Sequence, residues 1–231
     1  MGKGERPVIS TYATEKLLGR SLNNVENLYA AKTLYASGPM EIPLPRPRVS
    51  IVGTRQPSES GLKTAKLIAE ALTKKGVVIV SGLAKGIDTA AHRAAIESGG
   101  RTIAVLGTPL DRAYPHENAD LQSEIVKNHL AISQFRVGQA VTRSNFPIRN
   151  RTMALISDAT IIVEAGEKSG SLSQGWETLR LNRLLFIWKS LFDAKLSWPD
   201  EMLKFGAMKL SDTKSIFQFL PSNRPVLEVV A

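Results

Sequence analysis

The side chains able to do chemistry here fall into a few short windows, and none is built for thiol or metal chemistry. There is no cysteine, which excludes disulfides, thiolate metal sites and a thiol nucleophile. The three histidines, His92, His116 and His129, show no metal-ligand spacing, and HExxH is absent. What is concentrated is positive charge. The window RVGQAVTRSNFPIRNR, residues 136–151, holds Arg136, Arg143, Arg149 and Arg151 without an acid, and sets Phe146 between Asn145 and Asn150. Cations beside an aromatic ring and side-chain amides suit an unpaired polynucleotide: charges follow phosphates, the ring stacks on a base, and an asparagine pairs with a base edge. The plain alternative is a solvated face with Phe146 in the core.

Three glycine-containing windows carry related chemistry. In SGLAKGIDTAAH, Ser81 to His92, Gly82 and Gly86 let backbone approach a ligand or take positive φ, and Lys85 adds charge. Asp88 reads as the N-cap of the next helix, and His92, one turn later, as a structural histidine able to pair with it. In GTRQPS, Gly53 ends a strand shortly before a helix, so free amides and the Arg55 fork share one turn, as an anion site requires; an ordinary loop with a surface arginine fits equally. In EAGEKSGSLSQG, Ser169, Gly170 and Ser171 open a helix with free amides and two hydroxyls, suited to a phosphate or to simple capping. Glu164 reads either as catalytic or as a hydrogen-bond partner for a base or sugar. Neither GxGxxG nor GxxxxGK[ST] occurs, so generic dinucleotide and nucleotide-triphosphatase readings fail.

The elements that must position these windows follow from periodicity. RVSIVG, VVIVSG, TIAVLG, LAIS, ATIIVEA and LLFIW are apolar runs of strand length, several ending in glycine. Between them lie helical patterns, the clearest in 57–76, where Leu62, Ala65, Ile68, Ala69 and Leu72 share a face, Ser58 is a cap and Gly76 a stop. Continuous apolar strands alternating with helices predict an α/β fold, a mostly parallel sheet covered by helices on both faces. Ligands in such folds bind at the carboxyl ends of strands, where all the windows above fall. Ahead of the sheet, residues 1–45 read as one or two short helices and a linker, with four prolines between Pro39 and Pro47. The core spans 46–220 and a tail 221–231.

The chain of 231 residues carries a net charge of +9, with 43% hydrophobic residues, enough for a sizeable core. The charge is uneven: basic groups outnumber acidic ones 12 to 6 over residues 1–75 and 8 to 4 over 136–190, and balance elsewhere. Such blocks attract polyanions through counterion release, or serve solubility alone. No apolar run approaches the about 20 residues of a membrane helix and no signal-type N-terminus is present, so a soluble, cytoplasmic protein without membrane association is expected.

The windows VSIVGTRQPSESG, VVIVSGLAKGIDTAAHRAAIESGGRTIAVLGTPLDRAYPHEN, NFPIRNRTMALIS, VEAGEKSGSLS and GAMKLSDTKSIFQFL, in this order, resemble the DNA-processing protein A family (DprA, also called Smf). The resemblance covers about residues 46–220. It implies an extended Rossmann-like three-layer fold and a non-enzymatic, cofactor-free homodimer. Such a protein binds single-stranded DNA and helps load a RecA-type recombinase during natural transformation. It implies a DNA site made of Gly53, Arg55, Ser81, Gly82, Lys85, Gly86, Arg143, Asn145, Phe146, Arg149, Asn150, Arg151, Ser169, Gly170 and Ser171. Lys85 stands where the family usually has arginine, and little chain flanks the core, so the family's N-terminal helical and C-terminal winged-helix modules are expected to be missing. The fold also resembles a wider superfamily that includes phosphoribohydrolases carrying PGGxGTxxE. There Gln174 takes the place of the catalytic glutamate, and an amide cannot act as the base. A nucleotide-binding sensor is the alternative reading.

Overall fold

The apolar runs become strands here, and the windows between them become loops and the first turns of helices. The computed structural model describes residues 8–221. In chain order the elements are β1 (Ser10–Ala13), α1 (Thr14–Leu18), α2 (Asn24–Tyr29), β2 (Thr33–Ser37), β3 (Arg48–Val52), α3 (Glu59–Thr73), β4 (Val78–Ser81), α4 (Ile87–Glu97), β5 (Thr102–Leu106), α5 (Ala119–Asn128), β6 (Leu130–Ser133), α6 (Asn145–Ile156), β7 (Ala159–Ile162), α7 (Gly170–Arg180), β8 (Leu184–Trp188), α8 (Trp198–Lys204) and β9 (Met208–Leu210). One sheet runs in the order β1-β2-β6-β5-β4-β3-β7-β8-β9. From β6 to β9 every pair is parallel, while β1 and β2 add antiparallel. The expected α/β fold with a mostly parallel sheet is therefore found.

The two faces are built by alternation along each strand. Val49 and Ile51 of β3 join Ala65, Ile68 and Leu72 of α3 and Ala91 and Ala95 of α4 in one apolar cluster. Val78 and Val80 of β4 join Met153 and Ile156 of α6 in another on the opposite face. Burying each such Ile or Leu contributes about 1.5–3 kcal/mol. Ser58 caps α3 as expected, its side chain accepting from the Gly61 amide. Leu62 departs from the expected buried face: it is 40% exposed, in the first turn of α3, beyond the end of the strands.

The first 45 residues contribute more than helices. They supply β1 and β2, and β2 pairs with β6 through Tyr35↔Ser133. The proline-rich stretch is packed: Leu44 is 3% exposed, and the buried Arg48 donates from Nη1 to the carbonyls of Leu44 at 2.8 Å and Pro45 at 3.0 Å. Asp158 completes the tie by accepting from the Arg48 amide at 2.8 Å and pairing with Arg46. Short β9, also absent from the sequence reading, extends the other edge beside β8. The tail beyond Pro221 lies outside the described residues.

The strand order reverses around β3: chain progress runs outward through β4, β5 and β6 on one side and through β7 and β8 on the other. At such a switch point the loops leaving adjacent strands diverge and open a crevice at their carboxyl ends.

Candidate nucleic-acid cleft

The crevice is a cavity of about 690 Å³ whose walls include Gly53, Thr54, Arg55 and Gln56 after β3, Lys168 to Ser171 after β7, and one face of α6. A second, smaller hollow of about 70 Å³ adjoins it, formed by Gly82, Lys85, Gly107, Tyr114 and Pro115, and both share Arg55, Ala84, Phe146 and Arg149. Arg55 and Lys85, from separate loops, and Phe146, from α6, thus come to one place.

The NFPIRNR window is itself the start of α6, since the helix begins at Asn145. Phe146, Arg149, Asn150 and Met153 then fall on one face at spacings of three, four and seven, and that face is the cleft wall. Phe146 is not a core residue. Its ring is half-buried, its centroid lies 5.2 Å from that of Tyr114, and the Arg55 guanidinium carbon lies 5.9 Å above it. Tyr114 is 47% exposed, so the pair forms an aromatic edge between the two hollows.

Arg149 lies at the floor rather than at the surface. It is 6% exposed; Nη1 donates to the carbonyls of Gly82 at 2.5 Å and Val105 at 2.7 Å, and Nε donates to Asn150 Oδ1 at 3.0 Å. Burial pulls its pKa down and the nearby Asp88 carboxylate opposes the shift. These bonds stitch the ends of β4 and β5 to α6. They also explain Gly82: a Cβ there would lie 1.9 Å from Arg149 Nη1, so glycine makes room for a guanidinium and not for a ligand. Gly86 has φ +79°, and a Cβ there would meet the Thr54 carbonyl at 2.4 Å; it packs the loop and lines neither hollow. Ser81 is fully buried and donates to the Ile51 carbonyl at 2.7 Å, a sheet contact.

Asp88 is not the N-cap of α4; that position is Gly86. Its Oδ2 accepts from the amides of Gly82 at 3.1 Å and Ala84 at 3.3 Å, shaping the loop that carries Lys85. Burial is the main influence on its carboxyl and raises its pKa. Lys85 itself is half-exposed and pairs with Glu117, which lies two residues after Pro115 of the small hollow. His92 bonds through Nδ1 to Thr102 Oγ1 at 2.7 Å, not to Asp88, and burial depresses its pKa to about 3.

On the facing wall Ser169 caps α7, and its hydroxyl lies 2.7 Å from that of Ser171. Asn150 Nδ2 donates to the Gly170 carbonyl at 3.2 Å, bracing the wall against α6. The open first turn of α7 therefore faces the cavity with amides, hydroxyls and the Lys168 ammonium, a set suited to an anion. Lys168, Thr54, Gln56 and Ser173 also line it and were not singled out from sequence. Lys168 sits beside the quoted serines, so its place in the same strand-end window was the available signal. Glu164 is engaged in structure, accepting from the Ser58 amide at 3.0 Å and the Ser58 hydroxyl at 2.9 Å. Gln174, at the position of the hydrolase glutamate, is fully buried.

Other expected site residues are placed elsewhere. Arg143 is exposed in the loop before α6 and lines neither hollow. Asn145 is 5% exposed, accepts from Thr142 Oγ1 at 2.8 Å, and is likewise outside both. Arg151 points to the opposite face of α6: Nε donates to Glu177 Oε1 at 2.9 Å, and its guanidinium carbon lies 5.7 Å over the Tyr29 ring. Two helical positions amount to a turn of about 200°, so Arg149 and Arg151 cannot face one cleft.

Comparison with known proteins gives a family model described as DNA recombination-mediator protein A, matching residues 14–221. A DNA processing protein DprA of Bacillus subtilis is 35% identical over 189 residues, 81% of this chain and 64% of that protein. Other curated relatives are covered over about half their length (49% and 52%). Among solved structures, DNA processing protein A from Streptococcus pneumoniae superposes with a TM-score of 0.79 at 31% identity, over 94% of this chain and 76% of that one. The protein of that name from Helicobacter pylori, solved for its single-stranded DNA binding mode, superposes with a TM-score of 0.73 at 27% identity, over 91% of this chain and 94% of that one.

Proposed function

We propose, from the premise that this chain belongs to the DNA recombination-mediator protein A family, that its cleft binds single-stranded DNA without catalysing a reaction on it. The observation carrying the reading is the edge made by Phe146, Tyr114 and Arg55, set beside the open turn of α7 with Lys168. A base can stack on the accessible part of the ring while the flanking phosphates meet Arg55, Lys85 and the α7 amides. Duplex DNA presents no free base face to such an edge. The roles given to Gly53, Arg55, Lys85, Phe146, Asn150, Ser169, Gly170 and Ser171 belong to this proposal. Arg149 and Gly82 serve it indirectly by fixing the floor. Dimerisation, partnership with a RecA-type recombinase and a cytoplasmic site of action extend the same proposal. Among the described residues no helix is long and apolar enough to cross a membrane.

The test is binding of a labelled oligothymidylate against matched duplex DNA, RNA and mononucleotides at two salt concentrations. The reading expects single strands to win. Three cations, Arg55, Lys85 and Lys168, would give a log–log salt slope of about −2 for single strands. Binding of mononucleotides with no gain from longer strands would favour a nucleotide sensor instead.

A further inference from the structure

Arg151, read from sequence as a cation for the polynucleotide, has another set of partners. Its guanidinium carbon lies 5.7 Å over the Tyr29 ring of α2, and Arg180 of α7 stacks on the same ring at 3.9 Å. Glu177 joins the two arginines, accepting from Arg151 Nε at 2.9 Å and from Arg180 Nε at 2.8 Å. One turn before Tyr29, Glu26 is 1% exposed and accepts from Arg20 at 2.7 Å and from Arg183 at 2.6 Å. Arg183 also reaches the Leu155 carbonyl, at the far end of α6, at 3.4 Å. Two neighbouring clusters on α2 therefore tie it to α6, α7 and the turn entering β8.

These are the helices whose first turns form two walls of the cleft. Near the mouth they are braced by Asn150 Nδ2 on the Gly170 carbonyl. Arg151, the next residue of α6, bonds Glu177 seven residues further along α7, so α6 holds α7 from two of its turns. We propose that Tyr29 and Arg151 are positioning residues: with Glu177 and Arg180 they form a clamp that sets the α6–α7 spacing, and hence the width of the cleft, without touching the nucleic acid. The inference rests on the reading of the cleft as the single-stranded DNA site. It also gives the N-terminal segment a task in binding, through α2.

The clamp and a direct contact predict opposite signs for one substitution. In Glu177→Gln the two arginines lose the carboxylate that holds them together. If they position the helices, affinity for a labelled oligothymidylate falls, roughly three- to tenfold, with the salt slope unchanged. If they touch phosphates, release from Glu177 raises affinity and steepens the slope, which would overturn the clamp. Tyr29→Phe keeps the stacked ring and should bind as the unaltered chain does, whereas Tyr29→Leu should lose affinity to the same extent as Glu177→Gln. Equal losses in Tyr29→Phe and Tyr29→Leu, measured well below each melting temperature, would also overturn it. If the unaltered chain binds no oligonucleotide, the functional reading fails separately, and hydrogen exchange still decides the clamp. Glu177→Gln should then speed exchange of the α6 amides around Arg149–Thr152, and unchanged exchange would refute it.

Discussion

Replacing Phe146 by alanine removes the ring on which a base is expected to stack, and leaves every cation in place. Arg55 lies over the ring, with the guanidinium carbon 5.9 Å from the centroid, and Gly107 packs close to its Cδ1 edge, so a base would stack on the remaining ring surface. Base–aromatic stacking is worth about 1–3 kcal/mol per base. A half-buried ring places the expected loss at about 1–2 kcal/mol, which is roughly five- to thirtyfold in Kd. Two controls follow from the geometry. Because no charge changes, the salt slope of Phe146→Ala should match that of the unaltered chain. Because the ring belongs to none of the core clusters, the melting temperature should change little. Phe146→Trp should bind at least as well as the original. The assay is fluorescence anisotropy of a short oligothymidylate at two salt concentrations. An affinity within twofold of the original, on a folded variant, would refute the stacking role and with it the reason for placing a base at this edge.

Arg55→Ala should weaken binding and flatten the salt slope by about 0.7, the signature of one lost phosphate contact on a single strand; an unchanged slope removes Arg55 from the site. Gly82→Ala drives a Cβ to 1.9 Å from Arg149 Nη1 and should lower stability by about 2–4 kcal/mol, read as a drop in melting temperature, whereas a neutral result contradicts the packed guanidinium. His92 makes stability pH-dependent with a defined sign. Its folded pKa of about 3 lies below the unfolded value, so the unfolded chain takes up a proton that the folded chain refuses. The stability contribution is complete above about pH 6.5 and is lost as the pH falls toward 3, amounting to about 2 kcal/mol by pH 5. Urea unfolding at pH 7 and pH 5 should show this loss in the unaltered chain and a smaller one in His92→Gln; equal losses would contradict the assignment.

The order of the elements was legible because burial on both faces makes strands into unbroken apolar runs, and because helix caps such as Ser58 act within one turn. The edges were less legible. β1, β2 and β9 lie towards the margins of the sheet and are partly exposed, so their residues lack the continuous apolar signature and depend on a neighbouring strand. Within α6 the cleft face could have been read directly: starting the helix at Asn145 places Phe146, Arg149, Asn150 and Met153 together by periodicity alone. Reading the window for its charge and ring rather than for its period concealed that spacing, and with it the separation of Arg149 from Arg151.

The sequence by itself determined an α/β fold with chemistry gathered at the strand ends, because hydrophobic periodicity and glycine-marked turns are local signals. It also marked those ends as places for an anion, since charge, amides and hydroxyls gather there, without choosing between a polynucleotide and a nucleotide. Only the tertiary structure decided which cations are available. Arg149 and Arg151 are the same residue type two positions apart, yet one is consumed by the carbonyls of Gly82 and Val105 and the other by Tyr29 and Glu177. Those partners lie tens of residues away along the chain, so their capture of a guanidinium depends on packing between distant segments, which no local pattern encodes.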